Sequence, residues 1–408
     1  MPVVLALAPG SAIIERIGEI YETYESLPDD AKETKGSVDA KAVLAEAEAL
    51  KDNEERPHIN DLLEVLLERG GSDLHLTAGS PPQVRVNGSL KALDQFPMMK
   101  PAMLRSMIYE ILTARQQEQL EETRELDCSH PLPGKGRFRA NVFFQRDSVG
   151  TVMRAIPSEV IPLHKLHLPA VVSEFASFKK GMVVVTGPTG SGKSTTLASL
   201  IDLINSTRPD HIMTVEDPIE FMHKHKMSIV NQREVGADTL SFDAALKHVL
   251  RQDPDVVLVG EMRDLETIQT AITAAETGHL VFATLHTQNA PKTVERMIDV
   301  FPAHQQQQVR VQLASSIQAV LSQQLVPTAD GKGRIAAVEV MVATPAIRNL
   351  IREAKIHQIA SQMQAGAKYG MVTMEAALAD LVRGGKISRE TAIERAEDQE
   401  GLEALLGG

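Results

Sequence analysis

Apolar positions along this chain repeat with two different periods, and the places where the period changes mark out its elements. Over residues 59–69, Leu62, Leu63, Val65, Leu66 and Leu67 fall at helical spacing, and Gly70-Gly71 ends the run. Residues 73–77 and 83–87 alternate apolar with polar, as half-buried strands do. Asn87-Gly88 between two strand-like runs is a hairpin signal. Residues 101–120 read as one helix. Alternation returns over 136–144 and 150–156 and stops at Pro157. Residues 57–157 are therefore predicted to form a small α+β domain.

A different rhythm follows. Strand-like runs recur at 182–186, 211–216, 255–260, 280–285 and 335–341, separated mostly by helical patterns. That alternation builds a largely parallel sheet with its ligand site at the strand C-termini, so the class is α/β. Residues 346–408 read as helical, with breaks near 366–370 and at Gly384-Gly385. Residues 11–26 and 39–51 suit two short amphipathic helices joined by a linker over 27–37. The plain expectation for 1–56 is a solvated, partly ordered extension, and the sharper one a docking segment.

Charge and cysteine content narrow the classes. Net charge is −12 over 408 residues, and 1–56 carries thirteen acidic against six basic residues. An acidic total argues against a general nucleic-acid binder. Cys128 is the single cysteine, which excludes a disulfide framework and a multi-cysteine zinc site within one chain, and suits a reducing cytoplasm. No apolar run approaches the ~18–20 residues of a spanning helix. Residues 1–8 are apolar but lack the basic leader of a secretory signal. A soluble protein is expected.

Residues 187–194 read Gly-Pro-Thr-Gly-Ser-Gly-Lys-Ser, which is the pattern of a phosphate-binding loop between a strand and a helix. The glycines let successive backbone N–H groups turn inward, and the following helix points its positive end at the phosphates. Gly187, Pro188, Thr189, Gly190, Ser191, Gly192, Lys193, Ser194 and Thr195 are the expected nucleotide-binding residues. Lys193 reaches the β/γ-phosphates, and the Ser194 hydroxyl can hold Mg²⁺. Such a loop needs a carboxylate at a neighbouring strand end to order water. The apolar run 255–260 ends in Glu261, the expected water-activating base. Glu216, Asp217 and Glu220 follow another strand-like run. They suit a capped turn by themselves and metal or water organisation beside a phosphate loop, with Glu216 and Glu220 the candidate metal residues. His279 and His286 flank the strand-like run 280–285, and His286 at its end can donate to a γ-phosphate. Arg139 and Arg154, on candidate strands of the first domain, can supply further positive charge to a neighbouring subunit.

Taken together, these residues resemble the secretion-type hexameric ATPases and, within them, the PilT-type motors that retract type IV pili. The resemblance covers residues 59–395. It rests on residues 71–76, 187–196, 215–220, 230–234, 260–264, 277–279 and 284–287. It implies a PAS-like N-terminal domain, a RecA-like ATPase core over 158–345 and a helical C-terminal region. It also implies ATP and Mg²⁺ as ligands, a homohexamer, an inner-membrane pilus platform protein as partner, and a second retraction ATPase as a further possible partner. The expected place is the inner face of the cytoplasmic membrane, with no nucleic acid bound. In this pattern Glu261 matches the catalytic glutamate, His286 senses the γ-phosphate, and Arg139 and Arg154 fall where members send arginines toward nucleotide.

Two features point to the retraction subtype. Residues 346–353, Ala-Ile-Arg-Asn-Leu-Ile-Arg-Glu, look like the C-terminal signature of retraction enzymes. Ile347, Leu350 and Ile351 line one helical face, leaving Arg348, Asn349, Arg352 and Glu353 to show charge to a partner. The four-cysteine insertion common in assembly ATPases cannot exist here. Rivals are a pilus-assembly or type II secretion ATPase, an accessory PilU-like motor, and a nucleic-acid translocase or nucleotide-binding scaffold.

Overall fold

The computed structural model describes residues 56–407 except Ser158. The two helices expected within 1–56 lie outside the described residues. The chain divides into two compact units, with the boundary between Ala155 and Ile156.

The first unit is built on a six-stranded sheet. Its strands are β1 (Asp73–Leu76), β2 (Gln83–Val86), β3 (Ser89–Ala92), β4 (Glu125–Leu132), β5 (Gly136–Gln145) and β6 (Ser148–Ile156). Their spatial order is β3-β2-β1-β6-β5-β4. The Asn87-Gly88 hairpin forms as expected, because both residues take the positive φ (50° and 82°) that a tight two-residue connection demands. The helix Ile59–Glu68 starts at a His58 capping box and buries Ile59, Leu62, Leu63 and Leu66 against this sheet's core. The single helix expected over 101–120 is instead two, Pro101–Glu110 and Ala114–Thr123. The break is chemical: the Thr113 side chain accepts the N–H of Gln116, and Gln116 reaches back to the N–H of Thr113. β4, which gave no strand signal, pairs with β5 along its whole length at the edge of the sheet, where Pro131 is tolerated.

The second unit carries a seven-stranded sheet of β7 (Gly181–Thr186), β8 (His211–Glu216), β9 (Ile229–Glu234), β10 (Val256–Val259), β11 (Leu280–Leu285), β12 (Ile317–Pro327) and β13 (Arg334–Val342). The order is β13-β12-β7-β11-β10-β8-β9, with β13 antiparallel to β12 and the other pairs parallel. Alternate residues of the central strands enter two separate cores. Val184, Val257 and Val281 pack with the helices Phe242–Val249, Leu265–Glu276, Ala290–Asp299 and Ala303–Ser316. Val183, Leu258 and Phe282 pack on the other face with Leu197, Leu200, Ile201 and Ile204 of the helix Lys193–Thr207. A sheet covered on both faces explains the unbroken apolar runs of β7, β10 and β11.

The C-terminal region is helical as expected, with breaks at Gly370 (φ 76°) and Gly385 (φ 62°). Met374, Leu378, Ala379, Ile387, Ala392 and Leu402 close a small core with Val326 and Ala337 of the β12–β13 hairpin.

One expectation is corrected in the helix Pro345–Arg352. Ile347 and Ile351 are buried as anticipated, but Arg348 is not a displayed charge. Its guanidinium donates to the carbonyl oxygens of Ala343 (2.9 Å), Ala314 (2.7 Å) and Ser315 (2.9 Å) and to Gln318 Oε1 (2.9 Å). The carbonyls of Ala314 and Ser315 belong to the last turn of the helix Ala303–Ser316, where such groups lack helical donors. Arg352 is exposed. Arg348→Ala is accordingly expected to cost about 1–3 kcal/mol and lower the unfolding midpoint by roughly 2–12 °C, whereas Arg352→Ala stays within about 0.5 kcal/mol. Calorimetry of both variants checks this; equal midpoints would discard the clamp.

Candidate nucleotide site

The C-terminal ends of β7, β8, β10 and β11 open into one cleft of about 480 Å³. Each strand delivers one part. β7 runs into the phosphate loop, β8 ends at Glu216, Glu261 follows β10 after Gly260, and His286 follows β11 directly. The cleft is lined by Thr189, Gly190, Gly192, Lys193, Ser194, Thr195, Glu216, Glu220, Glu261 and His286, so most residues named from the sequence converge. Gly187, Pro188 and Ser191 do not line it.

Gly187 lies where the loop crosses β12. Its φ is 137°, and a Cβ there would stand 2.1 Å from the carbonyl oxygen of Gln323, so no larger residue fits. Gly192 has φ 91° at the N-cap of the helix Lys193–Thr207. The Lys193 ammonium donates to the carbonyls of Gly187 (2.8 Å) and Pro188 (3.1 Å). Burial pulls it below the usual lysine range, and the Glu261 carboxylate opposes that pull. Ser194 is exposed at the first turn of the helix.

Glu261 is held from two sides. Arg263 Nε donates to its Oε2 at 2.8 Å, and His286 Nε2 stands 3.2 Å from its Oε1. The same arginine reaches Asp217 Oδ2 at 3.3 Å. Glu216 is buried, and its Oε1 accepts from Thr214 Oγ1 (2.7 Å) and Gln232 Nε2 (3.2 Å). Burial raises this carboxyl above the ordinary range despite those donors. Glu220 is exposed, and its backbone N–H points at Glu216 Oε2 (3.4 Å). His279, at the far end of β11, hydrogen-bonds the Ala274 carbonyl through Nδ1 (3.0 Å), a local structural contact. Hydroxyl, carboxylates and space for water form an all-oxygen donor set, which fits Mg²⁺.

Arg139 and Arg154 belong to the first unit. Arg139 projects from the exposed side of β5, with Asp127 Oδ1 at 4.0 Å. Arg154 Nε donates to the buried Asp73 Oδ1 at 2.7 Å while most of its side chain remains exposed.

Three participants carried no sequence signal of their own. Gln323 from β12 is buried; its amide donates to the Ser191 carbonyl (2.8 Å) and accepts from Thr196 Oγ1 (3.0 Å), bracing the loop to its helix. Arg263 was visible only as a neighbour of Glu261. His223 lines the cleft, and burial drives it down to about 4, so it is neutral.

Comparison with known proteins agrees with this geometry. Residues 150–392 match the family model described as type II/IV secretion system protein. The type IV pilus retractation ATPase PilT of Pseudomonas aeruginosa is 50% identical over 83% of this chain and 98% of its own length. The type IV pilus ATPase PilU of the same organism is 42% identical over 85% of this chain and 90% of its own. A crystal structure of the pilus retraction motor PilT with bound ADP superposes with a TM-score of 0.79 at 49% identity, covering 86% of this chain and all of that one. A nucleotide cleft built from four strand ends and this depth of similarity lead to one placement: the chain belongs to the type II/IV secretion system protein family, as a PilT-type ATPase.

Proposed function

We propose that this chain is an ATP-hydrolysing motor that retracts type IV pili as a homohexamer. The observation that carries the reading is the convergence of Lys193, Glu261 and His286 in one cleft of a chain that aligns with nearly the whole of a retraction ATPase. The Gly187–Ser194 main chain and the start of the helix Lys193–Thr207 bind the phosphates, and Lys193 exchanges its loop carbonyls for phosphate oxygens. Glu261 takes a proton from water as the oxygen attacks the γ-phosphorus and the bond to the β-phosphate oxygen breaks, giving ADP and phosphate. His286, beside Glu261, donates to the γ-phosphate and registers its departure. Ser194 would hold Mg²⁺, with Glu216 and Glu220 ordering its water; the ion supplies neutralising charge for the phosphates when bound. Arg139 and Arg154 serve a neighbouring subunit's nucleotide. Among the described residues no helix is long and apolar enough to cross a membrane. In this reading the motor acts on an inner-membrane platform protein from the cytoplasmic side, with a second retraction ATPase as an optional companion.

Purified protein is expected to hydrolyse ATP in a Mg²⁺-dependent manner. Glu261→Gln lowers kcat by about 10²–10⁴-fold while nucleotide still binds. A Glu261→Gln enzyme with near-normal turnover removes that residue from its role. An in-frame deletion in the organism of origin is expected to accumulate surface pili and lose twitching. Loss of pili points instead to assembly, and weakened but persistent retraction to an accessory motor.

Gln323→Leu tests the brace under the loop. Titration with a fluorescent ADP analogue should show affinity reduced by about tenfold, roughly 1.4 kcal/mol. Undiminished affinity in a folded variant means the loop holds its shape without that amide.

A further inference from the structure

His286 opens a short loop that leads into the helix Ala290–Asp299. On one side this loop is pinned to the end of β7. Thr186 Oγ1 donates to the Thr287 carbonyl (2.6 Å), and Thr287 Oγ1 meets the hydroxyls of Thr186 and Thr293 at 2.7 Å each. On the other side stands a buried carboxylate that the hydrolytic reading does not use. Glu339, from β13, accepts the N–H of Ala290 at 2.7 Å. The start of the C-terminal helix Met374–Arg383 lies against it as well: Thr373, Met374 and Glu375 line the same cavity, and the Met374 N–H helps to hold its charge. One carboxylate thus stands at the starts of two helices that come from distant parts of the sequence, alongside their own N-caps Asn289 and Thr373. Both helices turn their positive ends to it, which favours its charged form. A second link runs in parallel: Asn289 Nδ2 (2.8 Å) and Lys292 Nζ both donate to Glu397.

We propose that Glu339 is a positioning residue: by standing between the starts of the helices Ala290–Asp299 and Met374–Arg383, it holds His286 in register with the C-terminal helices. The proposal rests on the reading of the cleft as an ATPase site. Burial, the largest cause, and the charge of Glu375 push Glu339 up to about 7 from the ordinary 4.5, against the two backbone donors. The other titratable groups around the adjoining cavity of about 610 Å³ are His286, Arg395, Glu397 and Asp398. The native state therefore binds the Glu339 proton more tightly than the unfolded chain does. Its contribution favours folding fully below about pH 4.5 and is lost as the pH climbs to about 7.

Glu339→Ala and Glu339→Gln decide the matter on the full chain. The amide of Glu339→Gln keeps an acceptor oxygen and cannot titrate; Glu339→Ala removes the acceptor. Hydrogen exchange, which needs no turnover, is expected to show Glu339→Ala losing protection at the starts of both helices together, with Glu339→Gln restoring it. In ATP turnover, Glu339→Ala should lower kcat by about tenfold with KM little changed, and Glu339→Gln should flatten the dependence of kcat on pH across about 6–8. Loss of protection in one helix alone, or loss in both with wild-type kcat and pH profile, overturns the proposal. If Glu339→Ala does not fold, a wild-type pH profile in Glu339→Gln overturns it equally. A wild-type protein that hydrolyses no ATP refutes the ATPase reading instead, and the exchange data then still decide whether one carboxylate joins the two helices.

Discussion

Main chain touches main chain where the phosphate loop crosses β12, and the second unit is organised around that contact. Gly187 lies so close to the Gln323 carbonyl that no side chain fits between them. The back of the loop is pressed on that strand, against the Gln323 main chain at Gly187 and the Gln323 side chain at Gly192. β12 must then lie beside β7, and it brings the Gln323 amide that joins the Ser191 carbonyl to the Thr196 hydroxyl. Its antiparallel partner β13 carries Glu339 to the helix that follows His286. One steric requirement thus orders the loop, its brace and the route from the cleft to the C-terminal helices.

The parallel strands were legible in the sequence because burial on both faces leaves a run that only apolar, β-branched residues satisfy, as in β7, β10 and β11. β12 escaped for the opposite reason. It follows the helix Ala303–Ser316 with no glycine or proline between them, and its Gln, Ala and Leu residues favour helix. Tertiary pairing overrides that preference. β9 escaped because it is an edge strand with a polar, partly exposed pattern. Residues whose chemistry depends on spacing along the chain, such as Lys193 and Glu261, could be named at once. Gln323 and Glu339 act through neighbours tens of residues away, and nothing in their local sequence announces this; Arg263 holds its near neighbour Glu261, but its reach to Asp217 was equally hidden.

Arg348 shows the same limit from the other side. Periodicity placed it on the polar face of its helix, and a charged residue on a polar face is ordinarily a displayed one. The carbonyls ending the helix Ala303–Ser316 require donors, however, and the guanidinium fork supplies several at once. The charge that remains on this helix for an outside partner is Arg352, so packing and display are divided between two arginines only four residues apart.

The charge inventory of the cleft bears on how such a site works. Glu216, Asp217, Glu220 and Glu261 line it, opposed by Lys193 and Arg334. A triphosphate entering this cleft adds several negative charges close to those carboxylates. Burial moderates the conflict at Glu216 by shifting it toward its neutral form, and Arg263 moderates it at Glu261 and Asp217. The residue is still a deficit of positive charge at the point where phosphoryl transfer needs it most. A divalent cation can meet part of it. The rest calls for cations from outside the cleft, and this is the electrostatic argument behind the proposal that exposed arginines of one subunit serve the site of the next.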